Sequence, residues 1–114
     1  MLERSVTTEE FNKIIENRLE KIRSVLFAKA GEYASSTDRM HNFNVAARIN
    51  DQTPEQALWG MYTKHLVSVL DLISWAEICP EKLSKERVDE KIGDSINYHI
   101  LLEGLLLAAI KDVE

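Results

Sequence analysis

Apolar residues recur along this chain at spacings of three and four, the period of an α-helix, and no stretch alternates as a strand would require. The first such stretch opens at Thr7-Thr8-Glu9-Glu10, a capping-box pattern in which Thr7 is the cap and Glu10 reaches back. Phe11, Ile14, Ile15, Leu19, Ile22, Val25 and Leu26 then form one stripe of an amphipathic helix, which runs on into Lys29, Glu32 and Tyr33. Gly31 weakens this helix by about 1 kcal/mol, and Ser35-Ser36-Thr37 ends or kinks it. Residues 38–49 predict a short helix of about three turns, followed by a turn at Asn50-Asp51-Gln52. Thr53-Pro54-Glu55-Gln56 is a second capping box, with proline at the first helical position. Leu58, Met61, Tyr62, His65, Val69, Leu72, Ile73 and Ala76 are the buried stripe of the helix it starts. That helix stops near Ile78, because Pro80 disfavours helical geometry at Cys79.

Residues 84–113 predict one long last helix around which the chain is organised, with Leu83 and Val88 as a hydrophobic staple about the Ser84 cap. At about 100° per residue, Glu90, Asp94, Asn97, Tyr98, Leu101 and Leu105 fall on one side. Val88, Ile92, Ile96, His99, Leu106 and Ile110 fall on the other, so both sides need cover. The fold class is therefore all-α: a compact bundle of three main helices plus one short one. Residues 1–114 form a single domain with residues 1–6 as an N-terminal tail.

With 114 residues the chain can bury roughly two-thirds of its unfolded surface without staples. One cysteine, Cys79, excludes an intrachain disulfide, and the lack of a leading apolar segment points to the cytoplasm. No apolar run reaches the ~18 residues of a membrane span. A formal net charge of −5 argues against direct nucleic-acid binding, which needs a basic face. It does not exclude small phosphorylated ligands, because a metal ion reverses the local field.

Glu90 and Asp94 lie four residues apart on the stripe that later becomes leucine, so they are expected to look inward and to need cationic partners or a shared ion. The bland alternative is a pair of surface carboxylates near a helix start. Lys64, Ser68 and Asp71 share one face beside His65; Lys64 suits a phosphate and Asp71 a third carboxylate, or the two are a solvated pair. Glu32 is either a ligand or the partner of a nearby lysine. Asn42 and Asn44, in the polar cluster with Asp38, Arg39 and His41, either read a base or sugar or cap helix ends. All these donors except histidine are oxygens, which suits magnesium or manganese and phosphoryl chemistry.

Lys29-Ala-Gly-Glu32-Tyr33, Asp38-Arg39-Met40-His41-Asn42-Phe43, Lys64-His65 with Asp71, and Asp89-Glu90-Lys91-Ile92-Gly93-Asp94 with Asn97-Tyr98 occur in that order. Over residues 29–107 the chain thereby resembles small phage and prophage proteins related to the MazG-like all-α nucleoside triphosphate pyrophosphohydrolases. The resemblance implies a dimeric or tetrameric helical bundle, in a host cytoplasm if phage-encoded, that splits a nucleoside triphosphate to monophosphate and pyrophosphate. Glu90 and Asp94 would hold magnesium or manganese, and Glu32 or Asp71 would complete its shell or orient water. Lys29, Asn42, Asn44, Lys64, Asn97 and Tyr98 would meet the nucleotide. The chain departs from the family where a Glu-x-x-Glu pair is expected, offering Lys64, His65, Ser68 and Asp71, and where Lys91 replaces an acid. Glu86-x-x-Asp89 matches a family pattern but is expected to point away from Asp94.

These departures keep an alternative open: a non-enzymatic homo-oligomeric phage-type adaptor, or a nucleotide-sequestering protein with a degraded acidic site. Trp59, Trp75 and the apolar surface over residues 101–110 favour it, and His99 and Glu103 could pair across a two-fold interface.

Overall fold

Thr7, Thr53 and Ser84 each stand one residue ahead of a helical run, where a short side-chain oxygen can satisfy a backbone N–H that the first turn leaves unpaired. All three do so: the backbone N–H groups of Glu10, Gln56 and Arg87 donate to them at 3.0, 3.1 and 3.1 Å. At Thr53 the box is reciprocal, its own N–H donating to Gln56 Oε1 at 2.9 Å. The computed structural model describes residues 3–28 and 38–114. Over these the chain is all-helical and bundle-like, with α1 Thr8–Ala28, α2 His41–Asn50, α3 Pro54–Ile78, a 3-10 turn Pro80–Lys82 and α4 Lys85–Val113. Among the described residues no helix is long and apolar enough to cross a membrane.

Helix α2 starts differently, since its cap position, Met40, has no side-chain acceptor to offer. Asp38 supplies the order instead: its Oδ1 accepts from Met40 N–H and its Oδ2 from Asn44 Nδ2, both at 2.9 Å. The predicted turn closes the helix through Asp51, whose φ of 55° is a left-handed conformation that aspartate tolerates.

Helices α3 and α4 form an antiparallel hairpin, so Leu58 at the start of α3 meets Leu105 late in α4, and His65 meets Asp94. Phe43 of α2 and Tyr62 of α3 complete this core, with Met40, Leu66, Tyr98, Leu101 and Leu102 packed around it. Helix α1 lies beside the N-terminal half of α4 and runs in the same direction. Arg18 Nη2 bonds Asp89 Oδ1 at 3.1 Å and the Asp89 carbonyl at 3.3 Å, while Lys21 Nζ meets Asp89 Oδ2. Gly93 leaves room for the Arg18 guanidinium where it now lies, since a Cβ there would stand 2.6 Å from Nη1 and push the end of that side chain aside.

The expected stripes are not all covered. Leu58, Tyr62 and Leu72 of α3 are buried, but Met61 and Ile73 are exposed, as are Phe11, Ile14, Ile15 and Leu19 of α1. The cause is architectural: among the described residues α1 packs chiefly on α4, and only its C-terminal end also meets α2 and α3. The radius of gyration, 17.0 Å, exceeds the about 13 Å of a compact chain of this length.

Candidate functional site

Where α1 ends and α2 begins, four helices leave a cavity of about 290 Å³. Its walls are Val25 and Leu26 of α1, Phe43 of α2, Met61 of α3, and Tyr98 and Leu101 of α4, with Arg39, Asn42, Asp94 and Asn97 as polar groups. That is the usual composition of a small-ligand site, mostly apolar with a few polar atoms to fix orientation. Tyr98 is rigidly held: its ring stacks on Tyr62 at 5.6 Å and lies 4.8 Å from His65. His65 Nδ1 is in turn 3.5 Å from Asp94 Oδ2. Burial of Tyr62 in this aromatic cluster raises the pKa of its hydroxyl, because a phenolate there would lose its hydration.

Two buried polar atoms at this cavity have no hydrogen-bond partner among the described residues, Arg39 Nη1 and Asn97 Oδ1. Arg39 uses its other nitrogen, Nη2, on the Leu26 carbonyl at 3.3 Å, which ties the end of α1 to the segment ahead of α2. Unpaired buried groups cost about 1–3 kcal/mol each, and such a cost is commonly kept where a site needs it.

A charged groove adjoins the cavity and shares Val25, Asp94 and Asn97 with it; Arg18, Lys21, Glu86, Asp89, Glu90 and Gly93 line the rest. The Asp89 carboxyl is held below its ordinary pKa, chiefly by the hydrogen bond from Lys21 and then by the charges of Lys21, Arg18 and Lys85, with desolvation opposing them.

The placement of the expected residues is mixed. Asn42, Asp94, Asn97 and Tyr98 meet in the cavity, and Glu90 joins Asp94 in the groove. The expectation that both acids look into the bundle is corrected: Glu90 is exposed, and the Asp94 side chain remains 43% accessible. Helix α1 approaches α4 over Asp89 and Gly93, which leaves Glu90 at a rim. Lys64 and Asp71 are exposed on α3 and line neither the cavity nor the groove. Asn44 donates to Asp38, as a capping residue does. Lys29 and Glu32 lie outside the described residues.

Sequence reasoning overlooked Arg18, and took Glu86 and Asp89 to point away from Asp94, whereas both line the same groove and Asp89 is gripped by α1. The signal for Arg18 was present, since it sits four residues from both Ile14 and Ile22, a cation inside an apolar stripe. Among the described residues no group of three or more His, Cys, Asp or Glu side chains is placed to hold a metal ion. Glu90 and Asp94 fit magnesium in a narrower sense: one or two carboxylates suffice when water and substrate phosphates supply its other positions. Compared with protein-family models, curated proteins and solved structures, the chain matches none.

Proposed function

We propose that the chain binds a nucleotide together with magnesium or manganese, as the MazG-like resemblance implies, and that it acts as a nucleoside triphosphate pyrophosphohydrolase. One observation carries the reading: an apolar and aromatic cavity opens into a charged groove, and Asp94 and Asn97 belong to both. A base or ribose suits the end bounded by Phe43, Tyr98, Asn42 and Asn97. Phosphates suit the end where Arg18 and Lys21 stand beside Glu90 and Asp94. The metal ion, when bound, polarises phosphate oxygens, and the protein's part is to orient the nucleotide and hold the two carboxylates towards it. The same reading expects a homo-oligomer and an intracellular setting.

The test is a screen of nucleoside triphosphates with magnesium, read as pyrophosphate release and as the unfolding midpoint. A nucleotide bound to the folded state raises the midpoint by mass action. Asp94→Asn should abolish pyrophosphate release while leaving the fold intact; unchanged turnover would remove Asp94 from the site. A chain that binds nucleotide with magnesium but releases no pyrophosphate is the sequestering protein. One that shows no nucleotide-dependent or ion-dependent response is a helical adaptor, the reading favoured by the exposed apolar residues of α1 and α4.

A further inference from the structure

Asp94 belongs to both the cavity and the groove, and from α3 one side chain reaches it: His65, whose Nδ1 lies 3.5 Å from Asp94 Oδ2. Its neighbours on α3 do not follow, since Lys64 and Asp71 are exposed and line neither space. Nor does α1 supply a counter-charge. Arg18 and Lys21, the basic residues of the groove, are engaged by Asp89, and among the described residues Asp94 makes no other ion pair. The groove therefore sets Glu86, Asp89, Glu90 and Asp94 against two cations, an excess of negative charge that attracts a positive ion.

We propose that His65 Nδ1 and Asp94 Oδ2 are two ligands of one divalent transition ion, manganese among them, and that the imidazole makes the site prefer such an ion to magnesium. This deepens the metal part of the reading above and rests on its placing an ion at Asp94. What is added is a nitrogen ligand from α3, and with it the choice of ion.

Distance and chemistry agree. A hydrogen bond from a ring nitrogen to a carboxylate closes to about 2.7–3.2 Å, so the 3.5 Å between His65 and Asp94 is long for one. Two ligands that each stand about 2.0–2.2 Å from a shared ion are about 3.0–3.5 Å apart when they subtend about 90–110° at it. A neutral imidazole gives its lone pair readily to transition ions, whereas magnesium takes oxygen ligands and keeps its water.

The ring is also fixed in place before any ion arrives. It lies 4.8 Å from the Tyr98 ring, Tyr98 is stacked on Tyr62, and the His65 side chain is only 19% accessible. A ligand held by packing loses little freedom on binding, which matters most where the protein supplies few ligands. The Asp94 side chain, by contrast, keeps enough contact with solvent for water and substrate phosphates to complete the shell, and Glu90 stands one turn before it along the groove.

Binding is read on the full chain without nucleotide: manganese by the loss of its free-ion electron paramagnetic resonance signal, magnesium and cobalt by competition against it. The wild-type chain should bind manganese about tenfold more tightly than magnesium, and cobalt more tightly than manganese. Equal affinity for manganese and magnesium would overturn the proposal, whatever the variants do. His65→Gln should lower the manganese affinity about tenfold while leaving that for magnesium nearly unchanged. Equal losses for both ions would mean that His65 only positions Asp94, and no loss for either would place the ion elsewhere; each result overturns it. His65→Asp, which returns an oxygen ligand to the same point, should tighten magnesium and abolish the preference; a preference that survives this change would show that the imidazole does not set it. Manganese held at His65 in a chain that binds no nucleotide would keep this site and remove the reading above. Nucleotide bound with magnesium, in a chain that does not distinguish the two ions, would do the reverse.

Discussion

Leu105 and Leu106 are neighbours in sequence and identical in chemistry, yet Leu105 is 5% accessible and Leu106 is 49%. The first faces α3 and α2; the second faces away from them. Along α4 the same division holds: Asp94, Asn97, Tyr98, Leu101 and Leu105 turn towards the other helices, with burial deepening towards the C-terminal end, while His99, Leu106 and Ile110 are exposed and Ile92 and Ile96 are half-buried beside α1. One face is finished by the chain itself and carries the polar groups. The other is as apolar but less covered, so the two faces of α4 contribute unequally to the bundle.

Truncating each side separates the two most sharply. Leu105→Ala should cost about 2–5 kcal/mol in chemical unfolding at any protein concentration, since it opens a void in the only well-covered core among the described residues. Leu106→Ala should cost less than about 1 kcal/mol, because about half of that side chain is already in solvent, and a loss that grows with protein concentration would show that a second chain covers it. Equal, concentration-independent losses at both positions would erase the distinction between the faces.

Smaller changes sharpen it. Gly60, on α3, has nothing within 4 Å of where a Cβ would stand, so Gly60→Ala should gain about 0.5–1 kcal/mol from helix propensity alone. A loss instead would mean that this edge of α3 is covered in solution.

The smallest effect belongs to the clamp between α1 and α4. A carboxyl held below its ordinary pKa stabilises the fold above the unfolded value, about pH 4, and the contribution disappears as pH falls through the folded value. Asp89→Asn should therefore lower the unfolding midpoint slightly at pH 7, by what a solvent-screened pair supplies, roughly 0.2–1 kcal/mol, and not at all in strong acid. A constant offset down to low pH would show that Asp89 acts through packing and not charge.

Much of the framework was legible in local chemistry. The caps at Thr7, Thr53 and Ser84, the stop before Pro80 and the Asp51 turn act within a few residues, where the sequence carries the full physical cause. Periodicity also marked the side of α4 that enters the core. It could not show how far along that side the neighbours reach, and so Glu90 was expected inside and stands at a rim.

The sequence by itself thus determined where helices start, where they stop and which stripes are apolar, because hydrogen bonding and helical period are local. Only the tertiary structure decided which apolar stripes find a neighbour, that Arg18 and Asp89 meet across 71 positions, and that Asp94 and Asn97 join a cavity to a groove. Those outcomes depend on the direction and offset at which one helix lies on another. Offset is set by the summed packing of many side chains, and no single stretch of sequence contains it.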